Sequence, residues 1–163
     1  MIQVPQALPR LGQQFDFNNS LLNTVLGDFE AADWEAQPEA GGNTAHWILG
    51  HVTVSRRYLA RKLGAEIAKD EWEDTFGMSS KPGSTEGYPA PATLVEEFRA
   101  RGKEIDGLLK ELSADDATRD WGSKFPDGGT SVGDGVWFLY FHETYHLGQL
   151  GLLRRVLGKP GFV

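Results

Sequence analysis

Residues 131–157 read SVGDGVWFLYFHETYHLGQLGLLRRVL, and Gly158 and Pro160 close the stretch. Its apolar positions follow a helical rather than an alternating spacing, and a glycine and a proline just beyond are ordinary helix stops. Inside it stand His142 and His146. At about 3.6 residues per turn, two side chains four apart project from one face, one above the other. That is the spacing with which a helix grips one divalent cation. The bland alternative, two satisfied histidines at coincidental spacing, requires a partner for each neutral ring beside Leu139, Leu150 and Leu153. The pentapeptide His142-Glu143-Thr144-Tyr145-His146 also spells the H-E-x-x-H of zinc metalloproteases. Such enzymes take a third ligand from downstream, and residues 147–163 contain no His, Asp or Glu. The segment is also too short for the rest of a protease subdomain, so the protease reading ranks low.

Working outward, three further segments carry helical periodicity. The first covers about residues 11–33, with Leu11, Phe15, Leu22, Val25, Leu26 and Phe29 along one side. The second begins near Thr44, with Asn43 or Thr44 as N-cap, and ends at Gly64, a C′ glycine. The third is announced by Pro91 and by Thr93-Leu94-Val95-Glu96, a capping-box pattern, and turns Leu94, Phe98, Ile105, Leu108 and Leu112 inward. Loops with turn chemistry fall at residues 37–42, 70–91 and 120–129. Strand-like alternation is weak throughout. The expectation is one all-α domain spanning residues 1–163, a four-helix bundle with a long crossover connection. Residues 70–91 are long enough to cover one mouth of the bundle.

The bulk numbers narrow the function. A chain of 163 residues buries roughly 70% of its unfolded surface, enough for a proper core. The net charge of −7 argues against broad phosphate-backbone binding and against docking on anionic lipid. There is no cysteine, so any metal site must use His, Asp, Glu or backbone oxygen. Met1-Ile2-Gln3-Val4-Pro5 lacks the pattern of a signal peptide, and no apolar stretch is long enough to span a bilayer. The expected location is the cytoplasm.

A third ligand for His142 and His146 must come from upstream, where the histidines are His46 and His51. Five residues apart on one helix, they are separated by about 140° around the axis. His51 shares the stripe of Ile48, Val52, Ser55 and Leu59; His46 lies at the helix start and reads as a partly exposed histidine. The expected site is therefore His51, His142 and His146, between two facing helices.

The segments Trp47-Ile48-Leu49-Gly50-His51 and His142-Glu143-Thr144-Tyr145-His146-Leu147-Gly148-Gln149 resemble the DinB/YfiT-like superfamily over essentially the whole chain. The resemblance implies a metal-binding four-helix bundle, with one histidine from the second helix and two from the last, which again points to His51, His142 and His146. It also implies chemistry on a small-molecule substrate, either thiol transfer with a low-molecular-weight thiol or metal-assisted hydrolysis. A non-catalytic metal- or ligand-binding bundle is the alternative. Zinc and nickel head the candidate cations, with iron and manganese behind them, since all accept imidazole.

Around that core stand weaker expectations. Glu143 is a candidate base, a partner for a histidine ring N–H, or a plain contact between helices. Gln149, three residues after His146 on nearly the same face, could orient a ligand or substrate. For Tyr140 and Tyr145, aromatic packing is the default. Arg56 or Arg57 could hold a substrate carboxylate, whereas Arg61, Lys62, Arg154 and Arg155 read as cations at helix C-termini. Val136-Trp137-Phe138-Leu139-Tyr140-Phe141 is apolar on every side of its helix, more than one bundle face can bury. A homodimer is the expected assembly, with Gly148 and Gly151 allowing close approach of another helix.

Overall fold

The computed structural model describes residues 4–38, 41–77 and 80–161; Met1, Ile2 and Gln3 of the leader reading lie outside them. Four long helices carry the fold: α1 (Val4–Leu26), α3 (Ala45–Lys62), α4 (Pro91–Glu111) and α6 (Val132–Val156). The short helices α2 (Ala31–Glu35) and α5 (Ala114–Thr118) and a 3-10 helix (Glu71–Phe76) lie in the connections. Among the described residues there is no strand, only an isolated bridge between Asp120 and Ser131.

The helix ends follow local chemistry. Thr44 caps α3 by accepting from the Trp47 N–H at 3.2 Å. At the other end Gly64 takes φ +107°, and the Ala65 N–H returns to the Ala60 carbonyl at 2.9 Å, which closes the last turn as a C′ glycine does. Ser131 and Asp134 form a reciprocal capping box at the start of α6, so that helix begins and ends where its residues indicate. Two expectations are corrected. The first helix does not run to residue 33. It stops at Leu26, and a capping box of Glu30 and Asp33 starts α2 separately; Phe29 packs on the core from the turn between them. The Thr93–Glu96 capping box is also not used. With Pro91 at N1 the helix has already begun, because a fixed φ and a missing N–H suit that position.

Two apolar clusters sit one above the other along the bundle. One contains Leu22, Leu49, Phe98 and Leu150; the other contains Phe15, Leu59, Ile105 and Val136. The order in which each helix passes through them gives its direction. α1 and α6 run one way and α3 and α4 the other. α3 and α4 are neighbours and parallel, so the chain must return the length of the bundle between them, and residues 63–90 make that return. This is the expected crossover, and it packs Trp72, Phe76 and Tyr88 on the core cluster of the bundle. Its 3-10 helix lies along α3, where buried Glu73 accepts from Arg57 at 2.9 Å and from Arg61 at 2.5 Å.

Between the clusters lies a polar layer. Arg56, 1% exposed, donates to Glu143 at 2.6 and 2.8 Å, to Asn19 at 2.6 Å, and to the Phe98 and Phe15 carbonyls at 2.6 and 2.7 Å. Asn18 also donates to Glu143 at 2.8 Å. One guanidinium thereby ties α3 to the other three long helices with every donor used. Gly102 makes the room: a Cβ there would overlap the Arg56 guanidinium.

Candidate functional site

His51 comes from the middle of α3, and His142 and His146 come from adjacent turns of α6, the helix antiparallel to it. Their candidate ligand nitrogens all lie within 4.8 Å of one another. The His142 Nε2 is 3.0 Å from the Nε2 of His51 and 3.2 Å from that of His146. All three rings are largely removed from solvent.

Hydrogen bonds behind the cluster set two of the tautomers. The Nδ1 of His51 lies 2.7 Å from the Phe76 carbonyl oxygen, which only accepts, so that nitrogen carries the proton. The Nδ1 of His146 donates to Gln149 Oε1 at 2.7 Å. In both neutral rings the Nε2 is then a bare lone pair, and both lone pairs face the Nε2 of His142. That atom can offer at most one proton to two acceptors. The other nitrogen of His142, Nδ1, is buried with no partner among the described residues. Protonation is not a way out. Burial and repulsion from His146 and His51 push His142 down to about 3, and burial also lowers His51 and His146. Three converging neutral nitrogens are what a cation satisfies; two nitrogens each about 2.05 Å from one tetrahedral zinc stand roughly 3.3 Å apart. The donor set fits a divalent metal ion.

The residues around the cluster explain its placement. The Trp47 ring stacks on His51 with centroids 4.7 Å apart and planes 11° from parallel, and Trp47 Nε1 donates to Ser80 at 3.2 Å. Phe76 lies over Gly50, where a Cβ would overlap its ring. The glycine before His51 therefore seats the residue whose carbonyl orients His51. Beside His51 and His142 opens a cavity of about 640 Å³, walled by α3, α6, Phe76 and Gly77 of the long connection, and Trp121 and residues 123–126 of the last loop.

Several expectations place differently. Glu143 is 1% exposed, and both its oxygens are taken up by Arg56 and Asn18. Of its three readings, the contact between helices is the one the geometry supports, and none of its hydrogen bonds reaches a histidine. Arg56 and Arg57 are not free for a substrate carboxylate: Arg57 is spent on Asp70, Glu73 and Glu97. Arg154 is more than a cation at a helix end. It is buried, pairs with Asp28, and donates to the Val25 and Pro160 carbonyls at 3.0 and 2.6 Å. Arg61 pairs with Glu73, and Lys62 donates to the Trp121 carbonyl at 2.8 Å. His46 is buried rather than partly exposed, lying 2.7 Å from a Glu35 oxygen and 2.8 Å from the Pro89 carbonyl, away from the other three. The Phe76 carbonyl was not foreseeable, since a backbone oxygen leaves no mark in a sequence. Trp47 left one, standing four residues before His51.

Fold and site together define a class: a helical bundle that presents a cluster of imidazoles from two antiparallel helices beside a cavity. The family model of the DinB superfamily matches residues 14–150, a span that includes all three clustered histidines, and the chain belongs to that superfamily. No curated protein matches it.

Proposed function

We propose that His51, His142 and His146 hold a divalent cation and that the protein is a metal-dependent enzyme acting on a small molecule, with S-transfer from a low-molecular-weight thiol favoured over hydrolysis. The observation that carries this reading is the convergence of three Nε2 atoms, two of them held as lone pairs by the Phe76 carbonyl and by Gln149. A bound cation would supply Lewis acidity, lowering the pKa of a thiol or water brought to it. Zinc and nickel are the first candidates, with iron and manganese behind them.

The chain's own residues prepare that chemistry. Gln149 and the Phe76 carbonyl each hold one nitrogen of a ring and so aim the other inward; such outer partners are typically worth about 10–100-fold in metal affinity. Burial keeps the imidazoles neutral, and therefore basic ligands, across the physiological range. Among the described residues no carboxylate joins the histidine cluster, and Glu143 is held by Arg56. Hydrolysis is ordinarily helped by a proton acceptor beside the water. A thiol, with a free pKa of about 8.5 against about 15.7 for water, can release its proton to solvent without a protein base once a cation lowers it further, which is why S-transfer is the favoured chemistry. No helix among the described residues is long and apolar enough to cross a membrane, and the acidic charge disfavours nucleic acid; we place the protein in the cytoplasm, as a homodimer.

The test is elemental analysis of untagged protein beside His142→Ala. Near-stoichiometric metal that disappears in the variant is the expected result, and it opens a screen of thiols with electrophiles and of hydrolysable substrates. Metal without turnover in that screen would make the protein a binding module. Folded wild type that takes up neither zinc nor nickel would overturn the reading.

A further inference from the structure

The cavity beside the histidines has a composition that says what fills it. One end is formed by His51 and His142, and the walls by Val54 and Tyr58 of α3, Trp121 and Phe125 of the last loop, and Phe138 of α6. The aromatic rings hold one another. Trp121 meets Tyr58 at 5.6 Å and Phe125 at 5.3 Å between centroids, and Phe125 meets Phe138 at 4.9 Å.

This wall is built, not left over. Trp121 is 3% exposed. Its N–H donates to the Thr130 carbonyl at 2.8 Å, and its carbonyl accepts from Lys62. Gly135 leaves the space its ring needs, since a Cβ there would press on the indole. The loop bearing Phe125 is tied across itself by Phe125 N–H to the Gly129 carbonyl at 2.9 Å.

Polar groups in the chamber are few. The Ser55 hydroxyl is already spent on the His51 carbonyl at 2.9 Å; Ser123 and Lys124 line the chamber from exposed loop positions, and Tyr58 adds one hydroxyl on a side chain that is 40% exposed. A polar molecule filling the chamber would lose more water than these few groups can replace. An apolar one would be rewarded for every ring it touches. The volume of about 640 Å³ falls within the range of about 300–1,000 Å³ usual for small-molecule sites.

We infer that the substrate carries a bulky apolar group of aromatic size, which fills the chamber between Tyr58, Trp121, Phe125 and Phe138 while its reacting atom faces the histidine nitrogens. The metal-site reading above is needed only for the reacting end. The apolar group can belong to the thiol or to its electrophilic partner; the chamber chemistry is the same.

The experiment loads the protein with Co(II) and titrates it with benzyl mercaptan and with 2-mercaptoethanol, following the absorption of the cobalt–thiolate complex. Benzyl mercaptan is expected to bind at least ten-fold more tightly. Val54→Trp, which fills the chamber, should abolish that preference, and Phe125→Ser, which removes a wall, should reduce it, with cobalt stoichiometry unchanged in both. Equal affinity for the two thiols in wild type, with cobalt bound, overturns the inference and leaves the metal site standing. Failure to bind cobalt overturns the metal reading instead. The chamber is then judged on the metal-free protein, by displacement of the dye 8-anilinonaphthalene-1-sulfonate with benzyl alcohol. Dye binding that is displaced in wild type and lost in Val54→Trp supports the inference, and no dye binding overturns it.

Discussion

Gly50 lacks a side chain where the Phe76 ring lies, and the consequence reaches the neighbouring residue. Gly50→Ala must lift Phe76, and with it the carbonyl that accepts from His51 Nδ1. The His51 ring then loses its tautomer and orientation but not its place in α3. Metal affinity should fall about 10–100-fold with helical content retained, as measured by competition with a chromophoric chelator and by circular dichroism; unchanged affinity would show that the carbonyl does not matter. Gln149→Leu should act similarly through His146, whose Nδ1 it deprives of an acceptor. The same residues give a pH dependence to the metal-free protein. His142 stands at about 3 in the fold against an ordinary value of 6.5, and His51 and His146 are lowered too. Below about 6.5 the unfolded chain takes up protons that the native cluster refuses, so stability present above that pH drains away as pH falls toward 3. Melting of chelator-treated protein should therefore occur at lower temperature at pH 4.5 than at pH 7.5, and His142→Ala should weaken that difference. The clustering was legible because imidazoles at i, i+4 in an apolar helix have few uses, and Gln149 behind His146 was legible as a residue placed to orient a ligand; the supports behind His51 were not, since one is a carbonyl and another an absent side chain.

At the scale of the element, the helices hold together through a buried charge. Arg56 and Glu143 form an ion pair with side chains 1% and 2% exposed, surrounded by Asn18, Asn19 and two carbonyls. Removing one partner strands the other in a dry layer. Arg56→Met should destabilise the fold by about 3–5 kcal/mol in urea unfolding. The double change Arg56→Met with Glu143→Gln, which leaves no unpaired charge, should recover part of that loss. A Glu143→Gln variant that keeps its stability and loses only turnover would instead restore the base reading of Glu143. The helix boundaries show what a sequence exposes and what it hides. Thr44, Gly64 and Ser131 announce themselves, because caps and C′ glycines answer to local geometry. The break after Leu26 did not, because Phe29 keeps the apolar spacing going after the helix has stopped. Arg56 looked available for substrate for a related reason: its partners come from α1, α4 and α6, and no local pattern brings them together.

For the whole molecule, four helices and a long connection were readable, and the length of that connection agrees with two parallel neighbours. The order of helices around the bundle was not, because apolar faces do not name their partners. What the bundle leaves uncovered is the outer side of α6. Trp137, Phe141, Leu152 and Val156 are 42%, 65%, 65% and 61% exposed, with Tyr145 also exposed between them. They recur at roughly four-residue steps, the ridge that packs into the groove of another helix. At Gly148, midway along it, nothing stands within 4 Å of where a Cβ would be, so a second backbone could approach. Between Trp137 and Val156 the only exposed charge of α6 is Arg155, so two copies of net charge −7 would bring little like charge together along this stripe. The run of residues 136–141 that no single face could bury thus points to a symmetric α6–α6 contact. Light scattering on the eluting protein should give twice the chain mass of 18.0 kDa. Phe141→Lys with Leu152→Lys, which sets cations of both copies against each other on exposed positions, should return the single mass with helical content and metal uptake unchanged. A single mass for the wild type at micromolar concentration would sink the dimer, and the apolar ridge would then need another occupant.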